Sequence, residues 1–456
     1  MNLLLTHGYF LADDAKEREI MKPYAPLGLL YLSSHLRRAG FDVEIYDSTF
    51  GTKEELFRIL RENPRGVLGV YGTLMTRANV LAITAEAREN GWLVVLGGPE
   101  PSAWAEQYLA RGADVIVTGE GERALEGLLR CVMDRASWAA TPGIIFRTGD
   151  DTLLRTPPAP LIQDLDAQPW PDRERIDMGR YLAAWRASHG KGSVSLITAR
   201  GCPYSCNWCS HAVYGKTHRR RSPVSVVDEV QWIVDRYAPE MLWMADDVFT
   251  IHHGWLFEYA AEMRRRGLRI PFECITRADR VNAQVADVLA ELGCFRVWIG
   301  SESGSQRLLD SMERGVTVGE VQSAMALCRE RSIQTGMFLM WGYAGEELQD
   351  IEATIDHVKR ADPDIYFTTV AYPIKGTPYH TQIAADLVMI MPWANSSDRD
   401  LVVRSQRPRS YYEVADRLLR DEVELSRARK AGAAVDALQA RIRELRAVLQ
   451  SAEVTA

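Results

Sequence analysis

Three cysteines, Cys202, Cys206 and Cys209, stand at CxxxCxxC spacing in Cys202-Pro203-Tyr204-Ser205-Cys206-Asn207-Trp208-Cys209. Thiolates so spaced on one loop can hold three irons of a 4Fe-4S cube. The fourth iron then has no protein ligand and stays open to a small molecule. Structural zinc competes, but it wants four ligands and no fourth cysteine is near. His211 and His218 can supply that ligand by count, so spacing alone leaves both metals open. Cys131, Cys274, Cys294 and Cys328 sit in apolar helix or strand patterns and read as buried, inert residues.

The rest of the chain must position that loop. It has 456 residues, about three domains at ~150 residues each. Apolar residues make up 46% and charged residues 25%, which excludes a disordered, collagenous or disulfide-framework chain. The formal net charge of −7 offers no global attraction to nucleic acid or an anionic membrane. No apolar run approaches the ~18 residues of a spanning helix. The first residues lack a basic n-region and a cleavage site, so no signal peptide is expected. With so few cysteines, reduced thiols and a cytoplasmic location are the expectation.

Residues 1–145 alternate short apolar runs with helical spacing. Strands are expected at Leu3–Thr6, Val43–Tyr46, Gly66–Tyr71, Trp92–Leu96 and Val115–Val117, with helices between them. Such a pattern predicts a doubly wound, Rossmann-like parallel sheet that binds ligands at the carboxyl ends of its strands. Residues 146–192, with Thr156-Pro157-Pro158-Ala159-Pro160 and Pro169-Trp170-Pro171, read as a linker. The alternation restarts at Ser193 and runs to 383. Strands are expected at Val194–Thr198, Met241–Ala245, Phe272–Thr276, Phe295–Gly300, Gly336–Trp341 and Ile365–Pro373. This predicts a complete or partial (β/α) barrel with its chemistry at the strand C-terminal ends. Residues 384–456 form a helical C-terminal segment, with one or two amphipathic helices over Tyr411–Leu449 and a solvated charged face.

CxxxCxxC at the tip of the first barrel strand resembles the radical SAM superfamily. There the open iron chelates the amino and carboxylate groups of S-adenosylmethionine, and the reduced cluster cleaves it to a 5′-deoxyadenosyl radical. The resemblance implies that Trp208 lies beside the adenine and that Asp246-Asp247 holds the methionine amine. It also implies that Glu302, after the fourth strand, lies near the ribose or methionine moiety, and that Arg277, after the third, is a cofactor-binding residue. A helix N-cap is the plain alternative for the aspartates, and a structural ion pair for Arg277 or Glu302. Gly336-Met337-Phe338-Leu339-Met340-Trp341-Gly342-Tyr343-Ala344-Gly345-Glu346 resembles the segment that backs the adenine, with Ala344 in place of the usual Pro. Ile374-Lys375-Gly376-Thr377-Pro378 matches the end of the sixth strand.

Upstream, Pro26-Leu27-Gly28-Leu29-Leu30, Gly97-Gly98-Pro99 and Thr118-Gly119-Glu120-Gly121-Glu122 together resemble the cobalamin-binding domain of B12-dependent radical SAM enzymes. Glycine lets backbone approach a large ligand closely. The helix N-termini behind Gly98 and Gly121 can accept polar corrin groups or phosphate. A plain α/β domain or a nucleotide-binding one is the alternative. The DxHxxG loop that puts a histidine under cobalt is absent, as it generally is in this class. His7 and His35 lie in other contexts, which implies base-off cobalamin. Gly72-Thr73-Leu74-Met75-Thr76-Arg77 is the expected floor of the corrin, and Leu74 or Met75 faces cobalt or is a core side chain.

The whole resembles the cobalamin-dependent radical SAM family, with its class B methyltransferases and the anaerobic magnesium-protoporphyrin cyclase group. It implies three cofactors: a 4Fe-4S cluster, S-adenosylmethionine and cobalamin. It implies methylation of an unactivated carbon of a small molecule, through the deoxyadenosyl radical and methylcobalamin. An external electron donor such as flavodoxin or ferredoxin is implied too. A non-methylating oxidation, cyclisation or rearrangement is the alternative. A methylthiotransferase needs three more N-terminal cysteines, and only Cys131 precedes Cys202. A non-catalytic cobalamin regulator has no use for an open-iron cluster.

Overall fold

The computed structural model describes residues 2–63 and 65–454. The chain divides into two compact units. The first holds residues 1–203, 210–243 and 391–400, and the second holds 204–209, 244–390 and 401–456.

In the first unit, β1 (Leu3–His7), β2 (Val43–Ile45), β3 (Val67–Tyr71), β4 (Leu93–Gly97) and β5 (Val115–Val117) are parallel. They lie in the order β2-β1-β3-β4-β5. Alternate residues of β1, β3, β4 and β5 feed two separate cores. Leu4, Leu68, Val70, Val94 and Leu96 pack on one face, and Leu3, Leu5, Val67, Val95 and Val117 on the other. This is the doubly wound sheet that the sequence predicts, with its order reversing between β1 and β3.

The sheet does not stop at residue 145. β6 (Ile144–Arg147) and β7 (Leu153–Arg155) continue it antiparallel, across the boundary at 145 and into the stretch read as a linker. Ile144, Ile145 and Phe146 are buried, and the prolines that mark a break come only after β7. The helix Met178–His189 also lies in that stretch. The unit goes on through β8 (Ser193–Leu196), β9 (Ala199–Arg200), β10 (Arg219–Arg220) and β11 (Met241–Met244, whose last residue falls in the second unit).

A distant piece of chain, residues 391–400, also belongs to this unit. The Trp393 ring lies 4.9 Å from that of Tyr108, edge-on, and 5.9 Å from that of Trp104. Arg77, only 2% exposed, binds Glu100 at 2.6 Å and Asp398 at 2.9 Å.

The second unit contains β12 (Phe272–Thr276), β13 (Cys294–Glu302), β14 (Gln334–Trp341) and β15 (Ile365–Val370), paired in that order and all parallel. The strand order ends at β15, so the barrel is of the partial kind. The C-terminal segment forms two helices, Arg409–Lys430 and Asp436–Val454, broken near Gly432 at φ +69°. No helix of the described residues is long and apolar enough to cross a membrane.

Candidate functional site

The cysteine loop is closed at its base by a short antiparallel ladder. Arg200 of β9 pairs with Arg219 of β10, and Ala199 with Arg220. Residues 201–218 form the loop between them. Gly201 starts it at φ +85°, and a Cβ there would lie 2.4 Å from the Thr217 carbonyl oxygen, so only glycine fits. Cys206 is buried, Cys202 half-buried and Cys209 exposed. The Cys209 N–H donates to the Cys206 carbonyl at 3.2 Å. Among the described residues no three Cys, His, Asp or Glu side chains converge as a preformed metal cage. The thiols share a loop, and a metal would have to gather them.

Positive charge meets the buried thiol from two sides. Arg277 Nη1 and Arg314 Nη1 each lie 3.8 Å from Cys206 Sγ. Guanidinium groups so placed would offset the negative charge that metal-bound thiolates bring. Arg277 is itself held in place. Its Nε donates to Asp279 at 2.8 Å, its Nη2 to the Arg314 carbonyl at 2.9 Å, and its guanidinium stacks 3.6 Å over the Tyr204 ring. Thiolates on one loop beside two buried cations fit an anionic iron–sulfur cluster.

Glu302 ends β13 where the register against β14 shifts. Its φ of +62° is a left-handed conformation that costs a non-glycine residue about 1–3 kcal/mol. Its carboxylate lies 3.7 Å from Arg314 Nε. Burial raises its pKa, and Arg314 and Arg277 oppose that rise. Asp246 is buried and Asp247 exposed just after β11. Trp208 is half-buried against a cluster that includes Met312, Tyr343 and Tyr379. Arg277 and Glu302 are thus brought into one neighbourhood, around Arg314 and Cys206.

The sequence did not single out Tyr204, Asn207 or Arg314. Asn207 ties the loop down: its Nδ2 donates to the Ser311 carbonyl at 2.9 Å, and its Oδ1 accepts from Tyr343 at 2.8 Å. Tyr204 and Asn207 lie between the cysteines, which was the available signal. Arg314 sits in Glu313-Arg314-Gly315, which carries none.

The loop after β14 encloses a small cavity of about 60 Å³, lined in part by Tyr343, Glu346, Tyr379, Gln406 and Tyr412. Glu346 Oε2 accepts from the Gly342 N–H at 2.6 Å, while Oε1 is buried without a hydrogen-bond partner. Burial pushes the Glu346 carboxyl from 4.5 up to about 8. The folded protein then keeps a proton that the unfolded chain loses. This contribution to stability is full below about 4.5, falls as pH rises, and is lost above about 8. Glu346→Gln should flatten that slope in melting temperatures measured across the interval; an unchanged slope would contradict the assignment.

The loops at the strand ends of the first unit interlock. The Gly72 N–H donates to the Gly97 carbonyl at 2.9 Å. Gly98 has φ +101°, and a Cβ there would lie 2.4 Å from the Gly72 carbonyl oxygen. The Thr73 N–H donates to Thr76 Oγ1 at 2.9 Å. Leu74 is half-buried and Met75 is 53% exposed. Pro99 opens the short helix Pro99–Ala103, and Gly121 the helix Gly121–Arg130. A Cβ on Gly97 would meet nothing closer than 4.0 Å, and one on Gly119 nothing closer than 3.7 Å. Backbone left this open fits the close approach of a large ligand.

Glu120 is used otherwise than for such contact. Its carboxylate is buried, accepts the Ile162 N–H at 2.8 Å, and pairs with Arg200 at 3.0 Å and Arg219 at 2.9 Å. Both ring nitrogens of the two candidate histidines are engaged. His7 bonds Asp47 at 3.1 Å and accepts the Tyr9 N–H at 3.2 Å. His35 bonds Glu126 at 2.8 Å and Gln168 at 3.2 Å.

Residues 196–358 match the Radical SAM superfamily, and residues 19–129 match the B12 binding domain. An uncharacterized methyltransferase of Pyrococcus horikoshii is 28% identical over 401 residues, 86% of each chain. The anaerobic magnesium-protoporphyrin IX monomethyl ester cyclase of Synechocystis is 27% identical over 369 residues, 78% of this chain and 72% of that protein. The radical S-adenosylmethionine methyltransferase TsrM of Kitasatospora setae, solved with cobalamin and a [4Fe-4S] cluster, shares the fold. Its TM-score is 0.70 at 22% identity, over 88% of this chain and 80% of that one.

The chain therefore joins a B12-binding domain to a radical SAM domain. It belongs to the cobalamin-dependent radical SAM enzymes, whose cofactors are a 4Fe-4S cluster, S-adenosylmethionine and cobalamin.

Proposed function

We propose that the protein methylates an unactivated carbon of a small molecule. The reading is carried by the two cofactor domains in one chain, together with a methyltransferase relative that spans 86% of it. When bound, the cluster with S-adenosylmethionine supplies a radical that breaks an unactivated C–H bond, and the corrin supplies a methyl group to the resulting carbon. Such a carbon has no lone pair for ordinary methylation, which is why both cofactors are needed.

The chain's own residues take these parts. Cys202, Cys206 and Cys209 hold the cluster, with Arg277 and Arg314 offsetting its negative charge. Trp208, Asp246, Asp247, Arg277 and Glu302 hold S-adenosylmethionine. Gly72, Thr73, Leu74, Met75, Gly97, Gly98, Pro99, Gly119 and Gly121 form the corrin loops. Neither His7 nor His35 would serve as a ligand to cobalt, because both spend their two ring nitrogens within the protein. The electron donor is an external protein such as flavodoxin or ferredoxin, and the enzyme works in the cytoplasm.

A cyclase-like oxidation is the second reading, favoured by the Synechocystis relative. A single-turnover experiment, run without and then with substrate, separates the two. Reduced, cobalamin-loaded protein given S-adenosylmethionine should yield one equivalent of S-adenosylhomocysteine per corrin. With substrate, 5′-deoxyadenosine and a product heavier by one methylene should join it. Deoxyadenosine with an oxidised or ring-altered product, and no S-adenosylhomocysteine, makes the cyclase-like reading the correct one.

A further inference from the structure

Four charged side chains, all nearly buried, meet between two loops of the first unit. Glu120, Glu122, Arg200 and Arg219 are 5%, 5%, 3% and 8% exposed. Arg200 donates from Nη1 to Glu120 at 3.0 Å and from Nη2 to Glu122 at 2.6 Å. Arg219 Nη1 reaches both Glu120 oxygens at 2.9 Å and the Ile162 carbonyl at 2.6 Å. The Arg200 guanidinium also lies over the rings of Tyr31, at 5.1 Å, and Tyr214, at 5.5 Å. Two cations against two anions leave the cluster formally neutral.

The location of these groups matters more than their sum. Glu120 stands between Gly119 and Gly121, in the loop at the end of β5. Arg200 lies two residues before Cys202, a chain distance of at most ~7 Å. Arg219 is its partner across the ladder that closes the cysteine loop. The carbonyl of Val213, on that same loop, lies 3.7 Å from where a Gly119 Cβ would be. One carboxylate, on a glycine loop of the same unit, therefore grips both ends of the cysteine loop.

A buried ion network of this kind is a poor source of stability. Its desolvation cost roughly cancels its attraction, and apolar replacements often do as well. Its advantage is register: planar guanidinium groups bind carboxylates in few geometries. We propose that the Glu120–Arg200–Arg219–Glu122 cluster is a positioning device that holds the corrin loop against the cysteine loop and sets the spacing between cobalt and the iron–sulfur cluster. This rests on the cofactor placement given under Proposed function. It does not rest on which reaction follows.

The test uses holoenzyme carrying both cofactors, reduced part-way so that cob(II)alamin and the reduced cluster are both paramagnetic. The cluster speeds spin relaxation of cob(II)alamin, an effect that falls steeply with distance. Arg219→Met and Glu120→Gln should lower that enhancement several-fold, while iron and corrin contents stay at wild-type levels. Arg219→Lys, which keeps the charge but not the planar guanidinium, should recover only part of it. Wild-type relaxation in both Arg219→Met and Glu120→Gln would overturn the proposal. Loss of cofactor loading in Arg219→Met, with Arg219→Lys indistinguishable from wild type, would overturn it too, because the network would then serve folding alone. The readout is independent of the adenosyl products, so failure of the methylation reading leaves it interpretable.

Discussion

Replacing Cys202, Cys206 or Cys209 by Ala reduces 5′-deoxyadenosine formation to background, in each single variant and in the triple variant. Two thiolates do not hold a cube that keeps one iron open. The effect is not graded by burial, although Cys206 is buried and Cys209 exposed. Each thiol accounts for one iron, and the open iron exists only when the other three are held. The B12-binding domain should remain folded and bind cobalamin, because none of the three cysteines belongs to either of its apolar cores. Iron analysis and product chromatography check the prediction. Deoxyadenosine above background in the triple variant would mean that the cluster lies elsewhere.

The second large effect is on stability. Arg77→Leu should destabilise the first unit by about 3–5 kcal/mol, because it leaves Glu100 and Asp398 buried without their cation. That corresponds to a fall in melting temperature on the order of 10 °C. Arg77 also donates to the carbonyls of Trp393, at 3.1 Å, and Ser396, at 2.8 Å. It lies 4.7 Å from the Trp393 ring centre and 5.2 Å from that of Trp104. Residues 391–400 should therefore become protease-sensitive in the variant. Asp398→Asn should cost less, since Arg77 keeps Glu100. A melting temperature for Arg77→Leu within a degree or two of wild type would show that the ion pairs contribute nothing there.

Both effects turn on residues whose legibility in the sequence differs. The cysteines were legible because metal chemistry demands a fixed spacing on one short loop. The five parallel strands of the first sheet were legible because strands buried on both faces are largely apolar, with β2 and its exposed Glu44 the exception. Arg77 was quoted only as the last residue of a loop. Its partner Asp398 is more than three hundred positions away, and no local pattern joins the two. β6 and β7 were missed for a related reason. Prolines further along suggested a linker, while the apolar run Ile144–Phe146 pairs with β5 through contacts that only the folded sheet reveals.

The sequence by itself determined the order of the domains, and its resemblance to B12-dependent radical SAM enzymes implied the cofactor classes. Spacing, glycines and apolar periodicity are local, and each reflects a requirement met within a few residues. The tertiary structure decided which charges surround the thiols and which loops touch. Arg277, just after β12, and Arg314, in the turn after the helix Gln306–Ser311, both reach Cys206, and Glu120 proves to be an ion-pair anchor inside a glycine motif. Such pairings depend on burial, which removes water as the competing partner and makes each buried charge find a specific counter-charge. Nothing in the one-dimensional order of residues records where that counter-charge will come from.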